Sequence, residues 1–236
     1  MYYDSNGNPR VAEHAPAALS SCMTKVYWWM TFALAVSGFC AWIVGTSPGL
    51  TQVFIENEIA FFILLLAEIG LVLGIGAAIN KLSAATASAL FILYAALNGI
   101  TLSVVFLLYT TTSIAQVFGI TAATFAVTAT VGSVTRTDLS RLGGILMMAL
   151  VGLIIASVVN VFWANDTLYW ICTYAGVAIF VGLTAYDAQK IKKMYLETDP
   201  DDTERIGKIA VIGALELYLD FVNLFLYLLR IFGRRR

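Results

Sequence analysis

The chain has 236 residues, of which 60% are hydrophobic and only 12% charged. A soluble globular domain carries about 25% charged residues, so an ordinary soluble protein is excluded. Fourteen Lys and Arg balance fifteen Asp and Glu, which leaves no overall basic surface for nucleic acid.

A hydrocarbon slab accommodates seven helices of about 20 residues each at this length. That implies one membrane domain and no separate catalytic domain. The only histidine, His14, precedes the first apolar run, so histidine-based metal or nucleophile chemistry has no place in the membrane core. No cofactor is expected. Cys22, Cys40 and Cys172 show no CxxC spacing and read as small buried apolar residues rather than a disulfide or metal set. Asp4, Arg10, Glu13 and Lys25 come before any apolar run. This is not a signal peptide, and the first apolar segment reads as a transmembrane helix.

Charge-free stretches mark the spans: Val26 to Ile55, Leu82 to Thr135 (two crossings), Leu142 to Asn165 and Thr167 to Tyr186. Ile59 to Asn80 carries one acid, Glu68. Ile209 to Leu229 carries two, Glu216 and Asp220. Helices are therefore expected near 26–46, 54–79, 84–108, 114–133, 143–163, 168–191 and 207–232. Residues 1–25 form an N-terminal cytoplasmic tail, 26–232 a seven-helix domain and 233–236 a basic tail. Gly70, Gly74, Gly76, Gly143 and Gly144 inside the spans read as close helix packing.

Orientation follows from the short loops. With the N-terminus cytoplasmic, Arg10, Lys25, Lys81, Arg136, Arg141, Lys190, Lys192, Lys193, Arg205 and Lys208 all lie inside, and the first, third and fifth loops hold no Lys or Arg. The last segment departs from this. If it crosses, Arg230, Arg234, Arg235 and Arg236 end up outside; if it re-enters and returns, they stay inside. Its proline-free run is long enough to span, and a full crossing is expected.

A carboxylate at bilayer depth is expensive and marks a functional candidate. Glu216, Asp220, Asn223 and Tyr227 share one face of the last helix, and the rest of it is apolar. This stripe must turn from lipid, which is expected to place the last helix inside a ring of the other six. Asp187 precedes Lys190, Lys192 and Lys193, whose stems reach the inner interface. It reads either as an acid paired with Lys190 or Gln189, or as a partner of Asp220 across the sixth and seventh helices. The mixed-charge run ETDPDDTER between them reads as a long solvated loop.

The runs GLTAYDAQKI at the end of the sixth helix, LYLDFVNLFLYLLRIFG in the seventh and NGITLSVVF in the third resemble the Bax inhibitor-1 family, in its bacterial inner-membrane branch. The resemblance covers the chain from about Lys25. It implies an all-α, seven-transmembrane bundle with the last helix central, and a calcium leak whose permeability responds to pH. It also implies that Asp187 and Asp220 form a di-aspartyl sensor, and that a basic residue at the turn between the second and third helices latches the sixth-helix acid. The matching position is Lys81. The family carries arginine there, often in a basic cluster; lysine lacks its bidentate fork.

Two carboxyls close together in a low dielectric do not both ionise cheaply, and they titrate as a unit. A shared proton would hold the sixth and seventh helices together. Alternatively, protonation would free Asp187 from Lys81. The two schemes predict opposite responses to pH, and the sequence does not choose. Calcium takes carboxylate and carbonyl oxygens. Asp187, Asp220 and Glu216 could form a transient wet calcium site with no permanent metal, and Glu216, Asn223 and Glu68 could line the cation pathway. Calcium ions, protons and membrane lipid are the expected partners. A role as regulator of a membrane protease or other partner is the alternative. An intramembrane aspartyl protease is disfavoured, because the expected GxGD reads LYLD with bulky Leu217 and Leu219. A proton-coupled transporter is disfavoured, because no inverted repeat or Gly/Pro-broken helix pair is evident in the sequence.

Overall fold

The computed structural model describes residues 15–236, so the expectations for residues 1–14, His14 included, lie outside the described residues. Seven helices are long and apolar enough to cross a membrane. They are α1 (Ala15–Thr46), α2 (Glu58–Ala78), α3 (Ala84–Leu102), α4 (Thr111–Val134), α5 (Ser140–Trp163), α6 (Asp166–Leu196) and α7 (Thr203–Phe232). A short helix, Pro48–Thr51, and a π turn, Gln52–Glu56, connect α1 to α2; Val104–Leu108 continues α3 after a break at Ser103. No strand occurs among the described residues. The architecture is the expected all-α membrane bundle.

Polar residues at the helix starts set several boundaries. Asn57, Ser83, Asn165 and Asp202 each accept a hydrogen bond from the backbone N–H three residues on, at 2.9–3.1 Å, satisfying donors the first turn leaves open. Ala164 ends α5 with a φ of 48°, which lets the chain reverse into α6 within two residues. The Asp202 cap has a further consequence. Thr203, Glu204 and Arg205, read from the sequence as solvated loop, already belong to α7. The other side of that connection also shortens, because α6 runs to Leu196. Only residues 197–202 remain between them. Likewise α1 begins at Ala15 rather than near residue 26, so the helix extends into the expected tail.

The last helix is central. In its apolar window 72% of residues are buried, against 6–39% for the other six. Four helices pack on it: α1, α3, α4 and α6. The ring is therefore not six-membered. Helix α2 lies outside, against α3, and α5 lies outside, against α6. Close approach relies on glycine at specific crossings. A Cβ at Gly132 of α4 would strike the backbone of Ala185 in α6, and one at Gly99 of α3 would meet Ser37 and Cys40 of α1. Gly143 packs under the Tyr186 ring, as expected of it. Gly70, Gly74, Gly76 and Gly144 have nothing within 4 Å; they sit on outward faces of the peripheral helices and make no close contact.

Helix α7 is continuous from Thr203 to Phe232, long enough for the expected full crossing. Residues 234–236 lie against the connection between α3 and α4, at the end opposite the 197–202 loop. Thr110 N–H donates to Arg234 O at 3.1 Å, Arg236 N–H to Leu108 O at 3.0 Å, and Arg234 N–H to Ser113 Oγ at 2.8 Å. Tyr109 and Arg235 form an isolated antiparallel bridge. The basic tail and the lysine-rich end of α6 therefore occupy opposite faces.

Candidate functional site

A cavity of about 650 Å³ lies between α5, α6 and α7. Its α7 wall carries Glu216, Leu219, Asp220, Asn223, Tyr227 and Arg230. These residues recur at helical spacing along one face and cover roughly 21 Å of rise. The polar stripe read from the sequence faces this cavity. Apolar residues of α5, Leu150, Leu153 and Ile154 among them, form the opposite wall. The cavity explains why α5 stands off the central helix.

Asp187 of α6 and Asp220 of α7 face each other in the cavity wall, side chain against side chain at hydrogen-bonding reach. A hydrogen bond between two carboxyls needs a proton on one of them. Asp220 is only 4% exposed and Asp187 14% at its side chain. Lys190, one turn beyond Asp187, bends onto α7 and donates to Glu216 Oε1 at 2.6 Å while standing 4.0 Å from Asp187 Oδ1. The second oxygens of Glu216 and Asp220 are buried and have no hydrogen-bond partner. Three carboxyls and one ammonium thus share one wall, and two oxygens remain uncommitted.

Of the remaining candidates Asn223 lies in the cavity, whereas Lys81 and Glu68 fall elsewhere. Lys81 is exposed in the turn after α2 and makes no ion pair among the described residues. The cation beside Asp187 is Lys190, on its own helix. Gln189 does not meet Asp187. Its amide accepts from Leu139 N–H and donates to Thr137 O at 2.8 Å each, clamping the α4–α5 turn to α6. Asn223 lines the cavity and donates to Leu219 O within its own helix. Glu68 is not in the cavity. It accepts from Asn98 Nδ2 at 3.0 Å and from the Thr101 hydroxyl, joining α2 to α3. Asn98 in turn accepts from the Tyr218 hydroxyl at 2.9 Å, and that hydroxyl lies 2.7 Å from Ser37 Oγ. This second polar chain links α2, α3, α7 and α1 on a different face of α7 from Asp220. Ser37, Asn98, Thr101 and Tyr218 carried no charge signal in the sequence. For Ser37, Asn98 and Thr101 the signal is a polar residue in a charge-free span, whereas Tyr218 sits between Glu216 and Asp220.

Comparison with known proteins decides the family. The family model described as "Inhibitor of apoptosis-promoting Bax1" matches residues 19–236. The chain belongs to the Bax inhibitor-1 family. This family member is 46% identical to inner membrane protein YbhL of Escherichia coli K12 over 220 residues, 93% of this chain and 94% of the relative. It is 45% identical to a protein of Borreliella burgdorferi over 214 residues, covering 91% of this chain and 92% of the relative. A protein of Rickettsia prowazekii is 37% identical over 91% of this chain and 89% of its own length. The Bax inhibitor-1 chain described here is thus a multi-pass membrane protein whose family extends over nearly its whole length.

Proposed function

We propose that this protein is a pH-sensitive calcium leak of the inner membrane, with Asp187 and Asp220 as the sensor. The observation that carries the reading is a two-carboxyl contact in the wall of a cavity that runs about 21 Å along the central helix. The hydrocarbon core is about 30 Å thick, so the cavity covers most of a crossing. The two uncommitted oxygens of Glu216 and Asp220 are hard donors of the kind calcium takes. A leak requires weak, transient binding rather than a closed cage, and three carboxyls on one wall fit that demand. Glu68 has both oxygens engaged away from the cavity and drops out of the pathway.

The proton between the carboxyls is the sensing element. While it is present, a hydrogen bond joins α6 to α7. Once it is lost, two like charges face each other, with Glu216 close by. At 4 Å and an effective dielectric of 20 such repulsion is roughly 4 kcal/mol, more than the ~1 kcal/mol of a polar contact between helices in lipid. Proton loss can therefore shift the two helices. Lys190 moderates this, since its ammonium attracts both Glu216 and Asp187. Lys190 takes the place beside Asp187 that the resemblance gave to Lys81. The end bearing Lys81, Arg136, Arg141, Lys190, Lys192 and Lys193 is read as cytoplasmic by its positive charge, which puts the N-terminus inside.

Reconstitution in liposomes with an enclosed calcium dye tests the reading. Wild type is expected to leak calcium at a rate that changes across pH 6 to 8, roughly the reach of a buried carboxyl pair. Asp187→Asn and Asp220→Asn are expected to leak at a rate nearly flat in pH. A wild type without leak refutes the transport reading, and a mutant with wild-type pH response refutes the sensor.

A further inference from the structure

The end of α7 presents arginines without acidic partners. Arg230 lies over two aromatic faces, 5.1 Å from the Tyr227 centroid and 5.6 Å from that of Tyr169. Arg235 sits against the side chains of Tyr109 and Tyr169. Tyr169 is thus shared by two guanidinium groups. Among the described residues no carboxylate pairs with Arg230, Arg234, Arg235 or Arg236. The tail is also held in place, by three hydrogen bonds to residues 108–113. Ordering a chain end has an entropic cost, and concentrating like charge without a counter-ion adds to it. Both costs are offset if an anion sits between the guanidiniums.

The location identifies the anion. Arg230 is in the last turn of a membrane-spanning helix. Phe162, Trp163, Trp170 and Phe232 are exposed at the same end, as residues at the membrane–water interface are. Guanidinium forks match phosphate oxygens two at a time. We infer that Arg230 and Arg235, around Tyr169, form a binding site for the phosphodiester headgroup of an anionic phospholipid, in the leaflet opposite the lysine-rich end. This site does not depend on the calcium reading. It accounts for four arginines on a face whose loops are otherwise free of Lys and Arg, and it places a fixed negative charge at the Arg230 end of the cavity.

The test is native mass spectrometry of the purified full chain in detergent, titrated with phosphatidylglycerol or phosphatidylcholine. Wild type is expected to prefer phosphatidylglycerol. Each arginine near an anionic surface is worth roughly a fivefold preference, so Arg230→Gln with Arg235→Gln is expected to weaken phosphatidylglycerol binding by about 25-fold. The control Lys81→Gln with Lys193→Gln, both exposed at the opposite end, is expected to bind as wild type. Arg230→Lys with Arg235→Lys keeps the charge and loses the fork; it is expected to fall between the two, and it serves if the glutamine variant does not fold. Unchanged binding in either arginine variant overturns the inference, as does an equal loss in the control. Displacement of the lipid by millimolar inorganic phosphate overturns the lipid assignment in favour of a soluble anion.

Discussion

The Lys190–Glu216 contact offers the sharpest energetic test of the cavity wall. Its 2.6 Å separation corresponds to a gross attraction of about 6 kcal/mol at an effective dielectric of 20. The Lys190 side chain is 35% exposed and that of Glu216 26%, so solvent screens much of this, and a coupling of roughly 1–2 kcal/mol is expected. Lys190→Met, Glu216→Gln and the double variant form the cycle. Lys190→Met is the most damaging, at about 2 kcal/mol, because it leaves three carboxyls on one wall without a cation. Glu216→Gln costs about 1 kcal/mol, since Lys190 then turns wholly to Asp187. The double variant costs less than the sum. Reversible unfolding in mixed micelles reads these values. The same Lys190→Met protein, in the dye assay, is expected to switch at higher pH: removing a positive charge 4.0 Å from Asp187 makes the shared proton harder to lose. A coupling under about 0.5 kcal/mol, or a switch at lower pH, refutes the electrostatic account of this wall.

Three further expectations follow from packing and topology. Gly132→Ala is expected to destabilise the bundle by roughly 1–3 kcal/mol, because its Cβ meets the Ala185 backbone; Gly144→Ala, facing open space, is the near-neutral control, both read by unfolding in micelles. Tyr218→Phe removes the hydroxyl that bridges Asn98 and Ser37 and is expected to cost about 0.6–2 kcal/mol by the same measurement, with the pH response of the leak retained. Cysteines placed at Asp199 and at Arg236, both exposed, are expected to react with a membrane-impermeant maleimide from opposite sides of the membrane. Labelling from one side would contradict a full crossing by α7.

The spans and the central last helix were legible because lipid makes charge placement expensive. Runs without charge had to be helices, and the one helix with Glu216 and Asp220 at midspan had to turn inward. The family-bearing runs pointed to Asp187 and Asp220 together, and the structure places them side by side. Other features depend on side-chain reach, which spacing does not encode. Lys190 crosses to Glu216, 26 positions away, although its nearest sequence neighbour of opposite charge is Asp187. Glu68 looked like a pathway acid, yet Asn98 and Thr101, uncharged in an apolar run, take both its oxygens. The 197–202 loop is shorter than its charge implied because Asp202 works as a helix cap. The standoff of α5 depends on a cavity, and a void leaves no mark in composition.

Among the described residues only α5, α6 and α7 line the void, so in a bilayer the seam between α5 and α7 is a flank that acyl chains rather than protein would border. A hydrophobic blocker would therefore arrive sideways, dissolving first in the bilayer, and its potency would track its partition coefficient more closely than its aqueous concentration.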